Sequence, residues 1–245
     1  ANIKKIKEIN KETPMVISTG RNFNEKIKYL MKLLEIKYAI CQNGAIIVNN
    51  RFEILQDISI QQPMIEAIKN IAVKYRLTLV PNSKYIVHNS SWYFKPLIAF
   101  NKKHYFKMED FDTSQKYNKI VLSGCFRKKL FKIYLEMRNT YPNLSIKTSG
   151  KDWIIEITDI KATKGIASLA VAKMLNVKPS KSVHIGDSMN DTTTLDHLGA
   201  LIAMENSSKH LLDVATHIGP NYKRGGLAKV LSGEFSENLS RKSKN

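Results

Sequence analysis

Ser182-Val183-His184-Ile185-Gly186-Asp187-Ser188-Met189-Asn190-Asp191 is a short apolar run that stops abruptly in polar residues. A few mostly apolar residues closed by a glycine and followed by Asp, Ser and Asn read as a buried strand running out into a loop. Upstream, Ile166, Leu169, Ala170, Met174 and Leu175 mark an apolar helix. Downstream, Leu195 and Leu198 mark another helix, followed by a strand at 200–204, a helix at 209–215, a strand at 216–218 and a last helix at 226–232.

The same alternation opens the chain. Ile3, Ile6 and Ile9 repeat every three residues ahead of Pro14, and an apolar strand at 15–18 runs into Thr19-Gly20-Arg21. Phe23, Ile27, Leu30, Met31 and Leu34 then line one helical face, with Asn22 as the expected N-cap and Glu25 at the capping-box position. A strand at 38–41 ends at Asn43-Gly44, a turn into a hairpin that closes near Asn49-Asn50. Strands alternating with helices predict an α/β fold with a doubly wound parallel sheet, whose ligands bind off the carboxyl ends of the strands. Thr19-Gly20-Arg21, Asn43-Gly44 and the 186–191 segment all sit at such ends, so they are expected to converge on one crevice.

Between these two halves, residues 57–158 have a different texture. They hold most of the aromatics, including Trp92, Phe94, Phe100 and Trp153, which are expected to pack as core. Two helical segments near 62–75 and 126–139 are interleaved with β-rich stretches at 119–122 and 152–158. The expected organisation is therefore a discontinuous core of 1–56 and 159–235, an α+β insert at 57–158, and a flexible tail at 236–245.

Composition narrows the class. A chain of 245 residues that is 43% hydrophobic buries a substantial core, which excludes disorder and fibrous repeats. Two cysteines, Cys41 and Cys125, make neither a disulfide framework nor a zinc cluster, so a reducing cytoplasmic setting is expected. Nothing approaches the roughly 18 apolar residues of a membrane span. The net charge of +18 raises nucleic acid as a partner, since phosphate neutralisation by Lys and Arg drives such binding. Half of that excess falls in 57–158, which carries 17 basic against 8 acidic side chains, yet basic residues are scattered throughout. The densest run, Arg127-Lys128-Lys129 with Lys132, reads first as the solvated face of an amphipathic helix, ahead of a nucleic-acid stripe or an attraction for small anionic substrates.

The expected crevice gathers a hydroxyl (Thr19), a guanidinium (Arg21), two amides (Asn43, Asn190), an ammonium (Lys164) and two carboxylates (Asp187, Asp191). Oxygen donors without a His or Cys cluster suit Mg²⁺. Thr19 with nearby backbone N–H groups, and Lys164 at a helix start, suit phosphate oxygens. Together these are the parts of a phosphoryl-transfer site, without an evident nucleophile. A Ser18/His184/Asp187 triad fails because His184 lies along an apolar strand, where it reads as a packed histidine.

Thr19-Gly20-Arg21, Asn43-Gly44, Lys164-Gly165 and Gly186-Asp187-x-x-Asn190-Asp191 occur in the order and spacing of the haloacid dehalogenase (HAD) superfamily, and the chain resembles its Cof-type (subfamily IIB) phosphatases over about 230 residues. The resemblance implies a Rossmann-like core with an inserted cap at 57–158 and a Mg²⁺-dependent hydrolase of small phosphorylated metabolites. It implies that Thr19, Lys164 and Asn190 serve the phosphoryl group and that Asp187 and Asp191 hold the metal. Arg21, Asn43, Gly20 and Gly44 would face the substrate. The family opens on a DxDGT box, whose first Asp is the nucleophile, on a central strand. No DxD precedes Thr19 here. A missing central strand, with a truncated and inactive chain, is therefore an expectation, and a non-catalytic remnant that binds phosphorylated ligands is the alternative, ahead of a basic nucleic-acid-binding protein.

Overall fold

The computed structural model describes residues 1–88, 105–124, 126–150 and 152–238. Trp92, Phe94, Phe100, Cys125 and the tail from 239 onward lie outside the described residues. The chain divides into two compact units, Ala1–Gln56 with Thr163–Asn245, and Asp57–Ala162.

The first unit begins with α1 (Asn2–Ile9), β1 (Val16–Ser18), α2 (Glu25–Leu34), β2 (Tyr38–Cys41), β3 (Ile46–Asn49) and β4 (Ile54–Asp57). β1 and β2 are parallel, with Val16 opposite Tyr38, and β2 pairs antiparallel with β3, with Ala39 opposite Val48. Helix α2 starts two residues later than its sequence suggests. The Asn24 side chain, on an extended backbone, accepts from the Ile27 N–H at 3.2 Å, while the Asn22 side-chain oxygen is taken by the Gln42 side-chain amide at 2.8 Å. Asn22 thus spends its acceptor on a residue 20 positions away, and the cap passes to Asn24.

The second unit contains α3 (Gln62–Tyr75), β5 (Thr78–Pro81), β6 (Ile86–His88), β7 (Tyr105–Lys107), β8 (Lys119–Ser123), α4 (Arg127–Thr140), β9 (Leu144–Ser149) and β10 (Ile154–Asp159). Its six strands are ordered β7-β6-β5-β8-β10-β9, antiparallel except for β6 and β7. Alternate residues Ile120 and Leu122, Ile155 and Ile157, and Leu144 and Ile146 are buried together with Ile65, Ile68 and Ala72 of α3 and Leu130, Ile133 and Met137 of α4. One face covered by helices is what the period-two pattern of an antiparallel sheet demands. Arg127, Lys128, Lys129 and Lys132 are exposed on α4, as a solvated helix face requires. Trp153 is not core: it sits in the β9–β10 turn at 49% exposure, because a turn residue has no sheet face to bury against.

The chain then completes the first unit with α5 (Lys164–Met174), β11 (Val183–Gly186), β12 (Ala200–Met204), α6 (Lys209–Val214), β13 (His217–Gly219), α7 (Gly226–Leu231) and β14 (Ser236–Glu237). Strands β11, β12 and β13 are parallel. Leu195 and Leu198 do not mark an α-helix: Met189–Thr194 is a 3-10 stretch and irregular turns follow. Thr192, Thr193 and Thr194 bond back to the carbonyls of Met189, Asn190 and Asp191, a local competition that suits a tight turn.

Strands β2 and β12 of this unit are buried on both faces, so they read as continuous apolar runs. Ala39 and Cys41 of β2 pack with Ile27 and Met31 of α2. Ile40, on the opposite face, packs with Ile47 and with Ala167 and Val171 of α5. Likewise Leu201 and Ala203 of β12 meet Leu211 of α6 with Ala215, and Ile202 and Met204 meet Val230 of α7. The core is thus parallel and wound on both faces, as expected. Its ladder is in two pieces: among the described residues, β1 pairs with β2 alone and β11 with β12 alone. The described start of the expected tail at 236–245 carries a short strand. Ser236 and Glu237 pair with β13, and the Asn238 amide donates to the carbonyls of Leu212 and Ala215, so side-chain hydrogen bonds fasten a segment whose polarity suggests fraying. No described helix is long and apolar enough to cross a membrane.

Candidate active site

The residues that follow β1, β2 and β11, together with the start of α5, all belong to the first unit. After β1, the Thr19 N–H continues the ladder to the Ile40 carbonyl at 2.9 Å, and the Thr19 hydroxyl accepts from the Arg21 N–H at 3.2 Å. The Asn43 N–H donates to the Thr19 carbonyl at 3.2 Å and the Gln42 N–H to the Arg21 carbonyl at 2.9 Å, so the two loops are zipped together. Gln42, Asn43 and Gly44 all have positive φ, of 48°, 60° and 109°. At Gly44 a Cβ would stand 2.2 Å from the Thr163 carbonyl oxygen, so only glycine lets this turn lie against the start of α5.

Thr163 caps α5 by accepting from the Ile166 N–H at 3.1 Å. That places Lys164 in the first turn, 6% exposed, with its ammonium 2.6 Å from Asp191 Oδ1. Gly165 is needed here because a Cβ would lie 1.9 Å from the Thr193 carbonyl oxygen. On the facing loop, Ser188 and Asp191 form a capping box at the start of the 3-10 stretch. Asp191 therefore does serve as a first-turn cap partner, and it does more than that.

The Asp191 carboxylate is 1% exposed and receives four donors. Oδ1 takes the Lys164 ammonium at 2.6 Å and His184 Nε2 at 2.7 Å. Oδ2 takes the backbone N–H groups of Asp187 at 3.0 Å and Ser188 at 2.9 Å. Burial works to raise its carboxyl, but the Lys164 charge, and the hydrogen bond and charge of His184, outweigh it and hold the group well below the ordinary carboxylate range. Beside it, the Asn190 amide donates to the Asn43 side-chain oxygen at 3.0 Å, joining residues 147 positions apart.

The structure thus brings together Thr19 with Arg21 and Asn43 through the backbone, Asn43 with Asn190, and Lys164 with Asp191. The Arg21 side chain is exposed, and the exposed Asp187 carboxylate accepts from the Ser188 hydroxyl at 3.3 Å. His184 is buried, as a packed strand histidine would be, and its Nε2 also faces Asp191. Its one sequence signal is a lone polar residue inside an apolar strand, which does not say where the ring points. Ser18 Oγ and Gln42 Oε1 are buried without hydrogen-bond partners, flanking Thr19 and Asn43 in the chain. Such orphaned atoms concentrate where a site awaits a ligand or water.

A carboxylate offers about four lone-pair positions, and Asp191 uses all of them on donors from this chain. Asp187 is the carboxylate of the loop left open. Among the described residues no group of three His, Cys, Asp or Glu side chains could hold a metal unaided. The donor set nonetheless consists of oxygens, and Mg²⁺ is commonly held by one or two carboxylates, with water and substrate phosphate completing its shell. Asp187 fits that role and Asp191 does not.

A family model described as haloacid dehalogenase-like hydrolase matches residues 1–231. A protein of Haemophilus influenzae, provisionally named a phosphatase, is 23% identical over 234 residues, which covers 91% of this chain and 86% of the relative. Among solved structures, a haloacid dehalogenase-like hydrolase from B. subtilis superposes with a TM-score of 0.75 at 18% identity, over 94% of this chain and 90% of that one. A HAD subclass IIB sugar phosphatase superposes with a TM-score of 0.76 at 17% identity, over 95% of this chain and 90% of the other. At these identities the structural likeness shows the fold.

Proposed function

The chain belongs to the haloacid dehalogenase-like hydrolases, and from that premise we propose that its site binds the phosphoryl group of a small phosphorylated metabolite for Mg²⁺-dependent hydrolysis. The observation that carries this reading is the buried Lys164 ammonium, held at the start of α5 by Asp191 and set beside the Asn43–Asn190 pair. A phosphate at such a place meets a fixed positive charge, an amide and the Thr19 hydroxyl, donors arranged before the ligand arrives. Asp187 would hold the Mg²⁺, whose chemistry when bound is neutralisation of charge on phosphoryl oxygens. Arg21, exposed and next to Thr19, with Gly20 and Gly44 in the flanking turns, is assigned to the rest of the substrate. Sugar phosphates are the first class to try, given the sugar phosphatase among the structural neighbours.

A second reading, binding without turnover, is favoured by one observation: the lone pairs of the buried Asp191 carboxylate are all taken by donors of this chain, so it is not available to attack phosphorus. The purified chain, assayed with Mg²⁺ against p-nitrophenyl phosphate and a panel of sugar phosphates, separates the two. Turnover that Asp187→Asn abolishes supports hydrolysis. Saturable phosphate binding without turnover supports the second reading, and neither binding nor turnover overturns both.

A further inference from the structure

Asp191 Oδ1 is shared by two side chains, and the two are not equivalent as donors. The Lys164 ammonium carries three N–H groups and spends one on this oxygen, at 2.6 Å. His184 has a single nitrogen facing it, Nε2, at 2.7 Å, and against an ionised carboxylate that nitrogen must carry a proton in either charge state of the ring. Both side chains are buried, as is Asp191. Oδ2 is meanwhile committed to the backbone N–H groups of Asp187 and Ser188. The carboxylate is therefore pinned at four points, and if the imidazole is lost the ammonium is the donor that remains on Oδ1.

We infer that His184 is a positioning residue: by satisfying half of Asp191 Oδ1 it lets Lys164 hold the carboxylate with one N–H and keep the others for an incoming anion. The inference rests on the phosphate-site reading above. Take the imidazole N–H away and the buried carboxylate is left under-satisfied, a costly state in a dry interior. The ammonium then turns a second N–H inward, and the anion loses a charge-assisted donor. His184 touches neither ligand nor metal in this scheme; it acts through Asp191 on Lys164.

Sulfate, a tetrahedral dianion whose charge is constant near neutral pH, tests this by isothermal titration of the full chain at fixed ionic strength. His184→Leu removes the N–H and keeps an apolar side chain in the strand, and should weaken sulfate about tenfold, or about 1.4 kcal/mol. His184→Gln places an amide N–H near the position of Nε2 and should bring affinity back to within about threefold of the unsubstituted chain. Urea midpoints measured alongside separate this from simple destabilisation: a structural role would make affinity follow stability in both variants. Equal affinity in both variants, or loss that tracks the midpoints, overturns the inference. Lys164→Met controls for the site itself. If the unsubstituted chain binds no sulfate, or Lys164→Met binds it equally well, the phosphate-site reading falls. If Lys164→Met abolishes binding while His184→Leu leaves it unchanged, only the role of His184 falls. Should His184→Leu not fold, long-range ¹H–¹⁵N spectra of the unsubstituted chain decide, because a ring protonated at Nδ1 with a bare Nε2 is incompatible with the bond to Asp191.

Discussion

Asp191→Asn puts the buried cluster under the most direct strain. The substitution keeps shape and volume but removes the charge and replaces one oxygen with an NH₂ group. Neither orientation of the amide works. With its oxygen at the Oδ1 position, the NH₂ faces the N–H groups of Asp187 and Ser188; reversed, it faces the Lys164 ammonium and His184 Nε2. In both cases Lys164, 6% exposed, is left as a buried cation without a counter-charge. Removing one partner of such a pair costs about 3–5 kcal/mol, a large share of the roughly 5–15 kcal/mol that stabilises an ordinary domain. Urea unfolding at pH 7, followed by circular dichroism, should show a loss of that size.

Adding Lys164→Met to Asp191→Asn removes the stranded charge, and a double-mutant cycle should return a coupling of about 0.5–3 kcal/mol. The pH dependence has a definite sign. Because the Asp191 carboxyl is held low in the folded chain, its contribution is complete above the unfolded carboxylate value of about 4 and fades as pH falls toward the folded one. The unsubstituted chain should therefore lose more stability than Asp191→Asn as pH is lowered from about 5. A loss below about 1 kcal/mol at pH 7, or identical acid limbs in the two proteins, would refute the account of the cluster.

Three further outcomes are expected. Asn24→Ala should lower stability by about 1 kcal/mol, read from the urea midpoint, because it strips the cap of α2; an unchanged midpoint would deny the cap any role. Gly165→Ala drives a Cβ to 1.9 Å from the Thr193 carbonyl oxygen and 2.5 Å from His197 Cδ2, so α5 must move and about 1–3 kcal/mol or more should be lost; a thermal midpoint equal to that of the unsubstituted chain would contradict the close approach. Asn238→Ala removes the donors to the Leu212 and Ala215 carbonyls and should speed proteolysis after residue 235, with a stability loss of about 1 kcal/mol; an unaltered cleavage pattern would mean the segment is not tied down there.

The elements whose signal is periodic were legible one residue at a time. The run Ala39-Ile40-Cys41 had to be a strand buried on both faces, because adjacent apolar side chains point in opposite directions and each needs a helix to cover it. The spacing of Ile27, Met31 and Leu34 likewise required one buried stripe on α2. Choices between equivalent local candidates were not legible. Asn22 and Asn24 are the same residue type two positions apart, and Gln42 decides between them by occupying one. Trp153 is large enough to fill a core, but a turn gave it no interior to enter.

The site divides along the same line. Sequence alone determined which chemical groups follow β1, β2 and β11, because the polar motifs lie at the ends of apolar strands and a parallel sheet brings such ends together. It did not determine which of those groups remain free to act. Asp187 and Asp191 are the same side chain four positions apart; one is exposed and open, while the other is sealed by four donors, two of them from Lys164 and His184. How a carboxylate's lone pairs are occupied is a property of neighbours that converge from different elements, and only the tertiary structure decides it.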